Sequence, residues 1–314
     1  MACVAAASGP VAGGVLVDAL GWRAVFWLNL PVAAAAVLVT VRHIAAARPG
    51  AERSRLDLAG LVPGVLCLLG LAYGLNEAGA SGWTSPTVLG AFTPAAAAGA
   101  AFAAIEWRRE RNGGRPVLPP SLFRRVPFTA AAAIGVLLNL GFYGMLHLVT
   151  LYFQEVRSLS ATATGLALLP CMALGIVSSP LAGRIGARTG PYVPMCLGLG
   201  IGAAGFAGWL AAGPHTPYLA LLPALMCCGF GTPLCMPAAT SALLEAAPAD
   251  AAGVASAVFN VARQTGSTTG VALFGSLAAA RPVAGLHAAT VIAAVLYAGG
   301  AGAAWAVGRR VRPS

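Results

Sequence analysis

Polar side chains recur on one face of an apolar segment near the middle of the chain. Asn139, Tyr143 and His147 stand four residues apart, so they share one side of a helix, and the next polar residues continue that side. A polar stripe that faced lipid would cost free energy, so this side should face other helices or a water-filled cavity. The stripe therefore predicts a cavity lined by Asn139, Tyr143, His147, Thr150 and Gln154.

Two groups on or near the stripe could bind and release a proton. Histidine titrates near neutral pH, which would suit His147 for a proton relay; an interhelical hydrogen bond or a packing role is the alternative. The chain has nine acidic residues, and none falls in the middle of an apolar run. Glu155, at the end of the striped helix, is the best-placed carboxylate, against the alternative of a plain surface charge. The candidate proton-binding residues are therefore Glu155 and His147.

A third polar group begins a later apolar segment. Asn260, Arg263 and Gln264 precede three threonines and a serine there, an unusual density of polar residues for such a helix. These residues could line the cytoplasmic mouth of a cavity, where Arg263 would meet an acidic partner. The alternative is that Arg263 anchors the helix at the lipid headgroups.

The composition places these groups in a membrane protein. Of the 314 residues, 58% are hydrophobic and 9% are charged, and the mean hydropathy is +0.81. This leaves too little polar surface to coat a soluble globule. Apolar runs of about 20 residues are long enough to cross a bilayer, and a crossing segment must satisfy its own backbone, so the runs are predicted helices. The runs cover residues 2–20, 25–43, 58–76, 87–105, 128–152, 163–183, 192–212, 217–239, 254–278 and 287–307.

The fold class that follows is all-α, a polytopic bundle of about ten transmembrane helices. The formal net charge of +10 comes from 19 arginines and no lysine, clustered between the apolar runs, so it indicates loop topology and not a nucleic-acid partner. With the N-terminus inside, all arginines except Arg23, Arg157 and Arg281 fall on the cytoplasmic side. This distribution predicts a multi-pass protein of the cell membrane with both termini in the cytoplasm.

Two longer polar loops, at residues 44–57 and 106–127, divide the chain. The division predicts three parts: two helices in residues 1–43, an inserted two-helix hairpin with flanking cytoplasmic loops in residues 44–127, and a six-helix bundle in residues 128–314.

An enzyme embedded in the membrane is the alternative from another functional class. The four histidines are scattered, no carboxylates are paired, and no nucleophile stands in a loop motif. The seven cysteines show neither disulfide nor metal spacing. We therefore predict that the chain is not an enzyme and uses no cofactor or metal.

Near the start, Gly9, Pro10, Gly13 and Gly14 interrupt an apolar helix within the segment SGPVAGGVLVDALGWRAVFWLNLP, residues 8–31. This segment resembles the antiporter motif in the fifth span of drug exporters of the major facilitator superfamily. Gly9 and Gly13 are predicted to let a neighbouring helix approach closely, and Pro10 to permit a bend. A generic glycine-rich helix crossing is the alternative.

Further segments resemble the fourteen-span drug:proton antiporters of that family. They are Asp57 to Gly60, Gly82 with Trp83, and residues 152–170, 181–190 and 253–275. Counted from the segment that resembles the fifth span, the chain holds the fifth to the fourteenth span and lacks the first four. An N-terminally truncated bundle is therefore expected.

The resemblance implies proton-coupled efflux of drugs or other small amphipathic molecules. The partners would be that substrate, protons and the lipid bilayer. Because the missing spans normally carry much of the transport cavity, a remnant that inserts but does not transport alone stays open as an alternative.

Overall fold

The computed structural model describes residues 2–43, 58–114, 116–279 and 281–311. The predicted loop at residues 44–57, including Asp57, lies outside these ranges, as do Arg115 and Arg312. In the described part all regular structure is helical, which confirms the predicted all-α fold class. The long helices are α1 (Ala2–Leu20), α2 (Arg23–His43), α3 (Leu58–Ser81), α4 (Pro86–Arg111), α5 (Val126–Leu151), α6 (Ala161–Thr189), α7 (Tyr192–Gly208), α8 (Tyr218–Ala246), α9 (Ala252–Ala279) and α10 (Pro282–Val311).

Eight of the helices in the described part are long and apolar enough to cross a membrane. In α1 the apolar stretch Ser8–Leu20 is shorter, and α9, which carries Asn260, Arg263 and Gln264, is not among the eight. A helix with a polar face crosses a bilayer only where neighbouring helices or water cover that face. The way in which neighbouring helices pack on α9 therefore decides whether its polar residues, Asn260, Arg263 and Gln264, can lie within a membrane.

The loop predicted at residues 106–127 begins later than expected. Residues 106–111 form the last turns of α4, because arginine is a good helix former and cations near a helix C-terminus interact favourably with its dipole. Glu106 is 1% exposed, and its Oε2 accepts a hydrogen bond from the backbone of Leu118 at 2.8 Å. This carboxylate holds the following loop against the helix end.

Helices α5 to α10 pack around one core, and the other helices attach to its sides. Helix α1 packs on α6, and the α3–α4 hairpin packs on α9 through α3. Helix α2 contacts α1, and none of its residues is buried. The predicted division into three parts stays a prediction, but the hairpin lies directly against the bundle.

Tyr297 connects four helices in the centre of the bundle. Its hydroxyl donates to the carbonyl of Leu138 on α5 at 2.7 Å and lies 3.3 Å from the hydroxyl of Thr232 on α8. Its ring packs where Gly141 and Gly202 leave room for it, since a Cβ at either glycine would stand within 2.7 Å of a ring carbon. The fully buried Tyr297 side chain therefore holds α10 against α5, α7 and α8.

Tyr297→Phe is expected to destabilise the bundle by about 1–3 kcal/mol, because it leaves the buried hydroxyl of Thr232 without its partner. Thermal unfolding in detergent measures the change. Tyr73→Phe on the lipid-facing side of α3, where the ring is 58% exposed, is the matched control and should leave the midpoint unchanged. Equal midpoints for the two variants would contradict the assigned role.

Candidate functional site

A cavity with a volume of about 750 Å³ lies between α3, α5, α9 and the start of α10. Helix α5 supplies most of its polar groups, and α9 supplies hydroxyls and small residues. The lining residues are Asn76, Gly79, Tyr143, His147, Leu148, Leu151, Tyr152, Glu155, Ser267, Thr268, Val271, Ala272, Gly275, Ala278, Ala279 and Pro282.

Three predicted site residues come together in this lining, namely Tyr143, His147 and Glu155. Tyr143 is 40% exposed to the cavity and its surroundings. Glu155 stands in a π-helical turn, Tyr152–Val156, that continues α5. Such turns widen a helix and are frequent at functional sites. Glu155 in this turn lines the same cavity as His147.

The polar atoms of these three side chains are unpaired within the described part of the chain. No hydrogen bond or ion pair joins any of them to another described residue; Tyr143 and Glu155 are exposed, and His147 is half-buried. They are therefore available to water, to a proton or to a bound molecule.

The remaining residues of the predicted stripe do not line this cavity. Asn139 is 3% exposed, and its amide donates to the carbonyl of Gly135 at 2.9 Å. Thr150 donates to the carbonyl of Leu146 at 2.8 Å, and Gln154 is exposed elsewhere. At 100° per residue, Asn139 lies about 80° from His147 around α5, which turns it toward the bundle interior.

Close packing of α9 against α5 orients the polar face of α9. A Cβ at Gly266 would stand 2.3 Å from the carbonyl oxygen of Val136, and one at Gly270 would stand 2.2 Å from that of Leu140. The glycines thus face α5. Ser267 and Thr268, on the neighbouring side of α9, consequently face the cavity.

The residues predicted at the cytoplasmic mouth are only partly brought together. Asn260 and Gln264 line a second cavity of about 300 Å³, with Val261, Thr265 and Thr268 on α9 and four residues of α3. Arg263 is not in that lining, and its Nε is buried without a hydrogen-bond partner among the described residues.

The motif at Gly9 to Gly14 forms the contact between α1 and α6, but through a different side than expected. A Cβ at Gly9 or Gly13 would have no described atom within 4 Å, whereas a Cβ at Gly14 would stand 2.5 Å from the carbonyl oxygen of Ala161. Gly165 of α6 packs equally closely on the carbonyl of Pro10. The close side is therefore Pro10 with Gly14, because these residues are one helical turn apart and face α6.

A carboxylate completes this contact. Asp18, at the end of α1, accepts a hydrogen bond from the backbone of Thr162 at 2.8 Å, which caps the first turn of α6 together with Ser160. Asp18 is thus a link between two helices, and it is not part of the cavity.

Two polar residues, one in the cavity lining and one buried, do not follow from the sequence pattern. Asn76 is a lone amide near the end of a long apolar run, and its position in the run is the available signal. Glu106 falls within the predicted loop, yet it is buried. The sequence cannot show that α3 packs on α9, and this packing alone brings Asn76 into the cavity.

Many secondary transporters are bundles of membrane-crossing helices with a substrate site between them. Residues 1–271 match the Major Facilitator Superfamily, and the chain belongs to that family. It is therefore a multi-pass membrane protein.

Similar proteins include several with names that refer to drug resistance and export. The chain is 34% identical to multidrug resistance protein Stp of Mycobacterium tuberculosis, over 89% of this chain and 51% of that protein. It is 34% identical to the methylenomycin A resistance protein of Streptomyces coelicolor, over 85% and 55%. It is also 34% identical to the tetracenomycin C resistance and export protein of Streptomyces glaucescens, over 88% and 50%. The chain spans about half the length of these relatives.

Proposed function

We propose that this chain takes part in the efflux of drugs or other small amphipathic molecules across the cell membrane, coupled to proton movement in the opposite direction. The observation that carries the proposal is the cavity in which the polar atoms of Tyr143, His147 and Glu155 are unpaired. The names of the similar proteins support export. The same proposal assigns the helices of this chain to spans five to fourteen of a fourteen-span antiporter. It also places both termini in the cytoplasm.

The cavity offers a simple physical basis for coupling. A proton and a positively charged substrate both stabilise the Glu155 carboxylate, so they compete for it, and binding of one favours release of the other. His147 stands two helical turns, about 12 Å, earlier on the same cavity face, so a proton would pass between the two groups through water in the cavity. The apolar and aromatic lining, with Leu151 and Tyr152, suits the apolar part of an amphipathic molecule.

The alternative is a chain that inserts into the membrane but does not transport by itself. Alternating access requires two helical bundles that move about a shared site, and the chain matches about half of its relatives' length. Transport assays in everted vesicles that contain only residues 1–314 distinguish transport by this chain alone from insertion without transport. We expect them to accumulate ethidium when energised and to release it when an uncoupler is added; absence of accumulation would contradict transport by this chain alone.

Glu155→Gln is expected to abolish proton-driven accumulation of ethidium in these vesicles, because the amide retains the shape but cannot take up the proton. Glu245→Gln on α8 removes an exposed carboxylate outside the cavity and should leave accumulation unchanged. Accumulation is followed by ethidium fluorescence at equal protein content. Wild-type accumulation by Glu155→Gln would remove Glu155 from the coupling mechanism.

A further inference from the structure

Two cavities lie next to each other along α9, and α3 forms a wall of both. Asn76 and Gly79 line the larger cavity, and the four residues of α3 in the second are Leu68, Leu71, Ala72 and Leu75. Thr268 of α9 lines both cavities. The lining part of α3 therefore extends over about 17 Å along the helix axis, more than half of the hydrocarbon thickness of a bilayer.

The wall is firmly attached to the bundle. Leu75 and Ala78 of α3 are buried. A Cβ at Gly79 would stand 3.9 Å from the carbonyl oxygen of Ala272, an ordinary van der Waals contact with α9. At the tip of the hairpin, the indole of Trp83 donates a hydrogen bond to the hydroxyl of Ser276 at 3.1 Å. These contacts fix the position of α3 beside α9.

Asn76 brings an unpaired polar group to this wall. Its side chain is exposed, and its amide makes no hydrogen bond with any described residue. Across the cavity, Ser267 and Thr268 donate to the carbonyl of Gln264 at 2.9 and 3.0 Å, so their oxygens can still accept hydrogen bonds. The amide and the two hydroxyls could thus bind the polar part of one molecule.

The charge of the lining limits which molecule fits. Glu155 is a lining residue of the larger cavity, and no arginine lines either cavity in the described part of the chain. Unless His147 holds a proton, an anion would therefore meet the Glu155 carboxylate without a compensating cation, whereas a neutral or positively charged molecule would meet no like charge.

We propose that the α3–α4 hairpin is part of the substrate path, with Asn76 as a substrate-binding residue, and that the two cavities are chambers of one path that meet at Thr268. The substrate class is a neutral or positively charged amphipathic molecule with hydrogen-bonding groups. This inference rests on the proposed function and adds to it the hairpin and the junction of the two cavities.

Cysteine labelling in the chain of residues 1–314 tests this proposal. The seven native cysteines are replaced by alanine, and Asn76→Cys, Thr268→Cys or Tyr73→Cys is introduced singly. Each variant is exposed to a membrane-impermeant maleimide with ethidium, with the anionic dye fluorescein, or with neither. Tyr73 is the control, since it lines neither cavity and its exposed side chain would meet lipid in a bilayer.

We expect rapid labelling of Asn76→Cys and Thr268→Cys, because a thiol reacts as the thiolate and the cavity admits water. Ethidium should slow both reactions several-fold, and fluorescein should not. Tyr73→Cys should remain unlabelled in lipid.

The role of the hairpin would be overturned if ethidium protected Thr268→Cys while Asn76→Cys either failed to react or reacted without protection. Lack of ethidium protection at both positions would overturn the binding site, and protection by fluorescein would overturn the substrate class. Labelling requires no proton gradient, so a failure of ethidium accumulation in vesicles, which concerns transport, is distinguishable from these outcomes.

Discussion

Gly270→Leu is expected to prevent the bundle of α5 to α10 from folding. A Cβ at Gly270 would stand 2.2 Å from the carbonyl oxygen of Leu140 and 2.8 and 2.9 Å from two further backbone atoms of that residue. Backbone atoms cannot rotate out of the way as a side-chain end can. Helices α5 and α9 would therefore have to separate along their whole contact.

A graded series keeps this prediction testable even if the leucine variant gives no folded protein. Gly270→Ala should lower the free energy of unfolding by about 1–3 kcal/mol, the usual cost of overpacking. Gly302→Ala is the control: no described atom lies within 4 Å of its Cβ position, and alanine in a helix interior is favoured over glycine by about 0.5–1 kcal/mol. The sign of the change should thus differ between the two glycines.

The buried cysteines provide the measurement. Cys171, Cys228 and Cys235 are buried, so a thiol-reactive fluorophore reports unfolding as temperature rises. A lower midpoint for Gly270→Ala and an unchanged or higher midpoint for Gly302→Ala are expected. If Gly270→Ala matched or exceeded the wild-type midpoint, the close approach of α5 and α9 would be wrong.

Gly14→Leu is expected to detach α1 from α6, whereas Gly13→Leu should leave the contact intact. Gly14 is buried, and its Cβ position lies 2.5 Å from the carbonyl oxygen of Ala161. The neighbouring Gly13 has no described atom within 4 Å of that position. The same substitution is therefore expected to break the contact between α1 and α6 at Gly14 and to leave it intact at Gly13.

A disulfide across the contact reports the result. Asp18→Cys and Thr162→Cys are combined in a chain without native cysteines, since Asp18 reaches the backbone of Thr162 at 2.8 Å. We expect this disulfide to form with Gly13→Leu and to be lost with Gly14→Leu. Because α1 lies at the side of the bundle, neither variant should unfold α5 to α10. Disulfide formation in both variants, or loss of it in both, would contradict the packing of Gly14 on α6.

The polar stripe shows where prediction from the sequence succeeds and where it ends. Tyr143, His147 and Glu155 share the cavity lining, whereas Asn139 bonds to the carbonyl of Gly135 in its own helix. The roles of all these residues in transport stay predictions. Helical periodicity gives the relative angles around α5, but the rotation of α5 against α9 depends on where Gly266 and Gly270 permit close contact.

By itself, the sequence determined the class of protein, the order of its long helices and its family. Hydropathy and backbone hydrogen bonding are local requirements of a bilayer, so they can be recognised segment by segment. The family assignment, supported by residues 8–31 in the sequence, is confirmed by the match over residues 1–271.

Only the tertiary structure decided which residues share a site. It placed Gly14 and not Gly13 against α6, it buried Glu106, and it brought Asn76 of α3 to the cavity beside α9. These arrangements arise from contacts between segments far apart in the chain. They depend on the rotation of each helix about its axis, which the small residues of a glycine-rich sequence leave open until neighbouring helices pack.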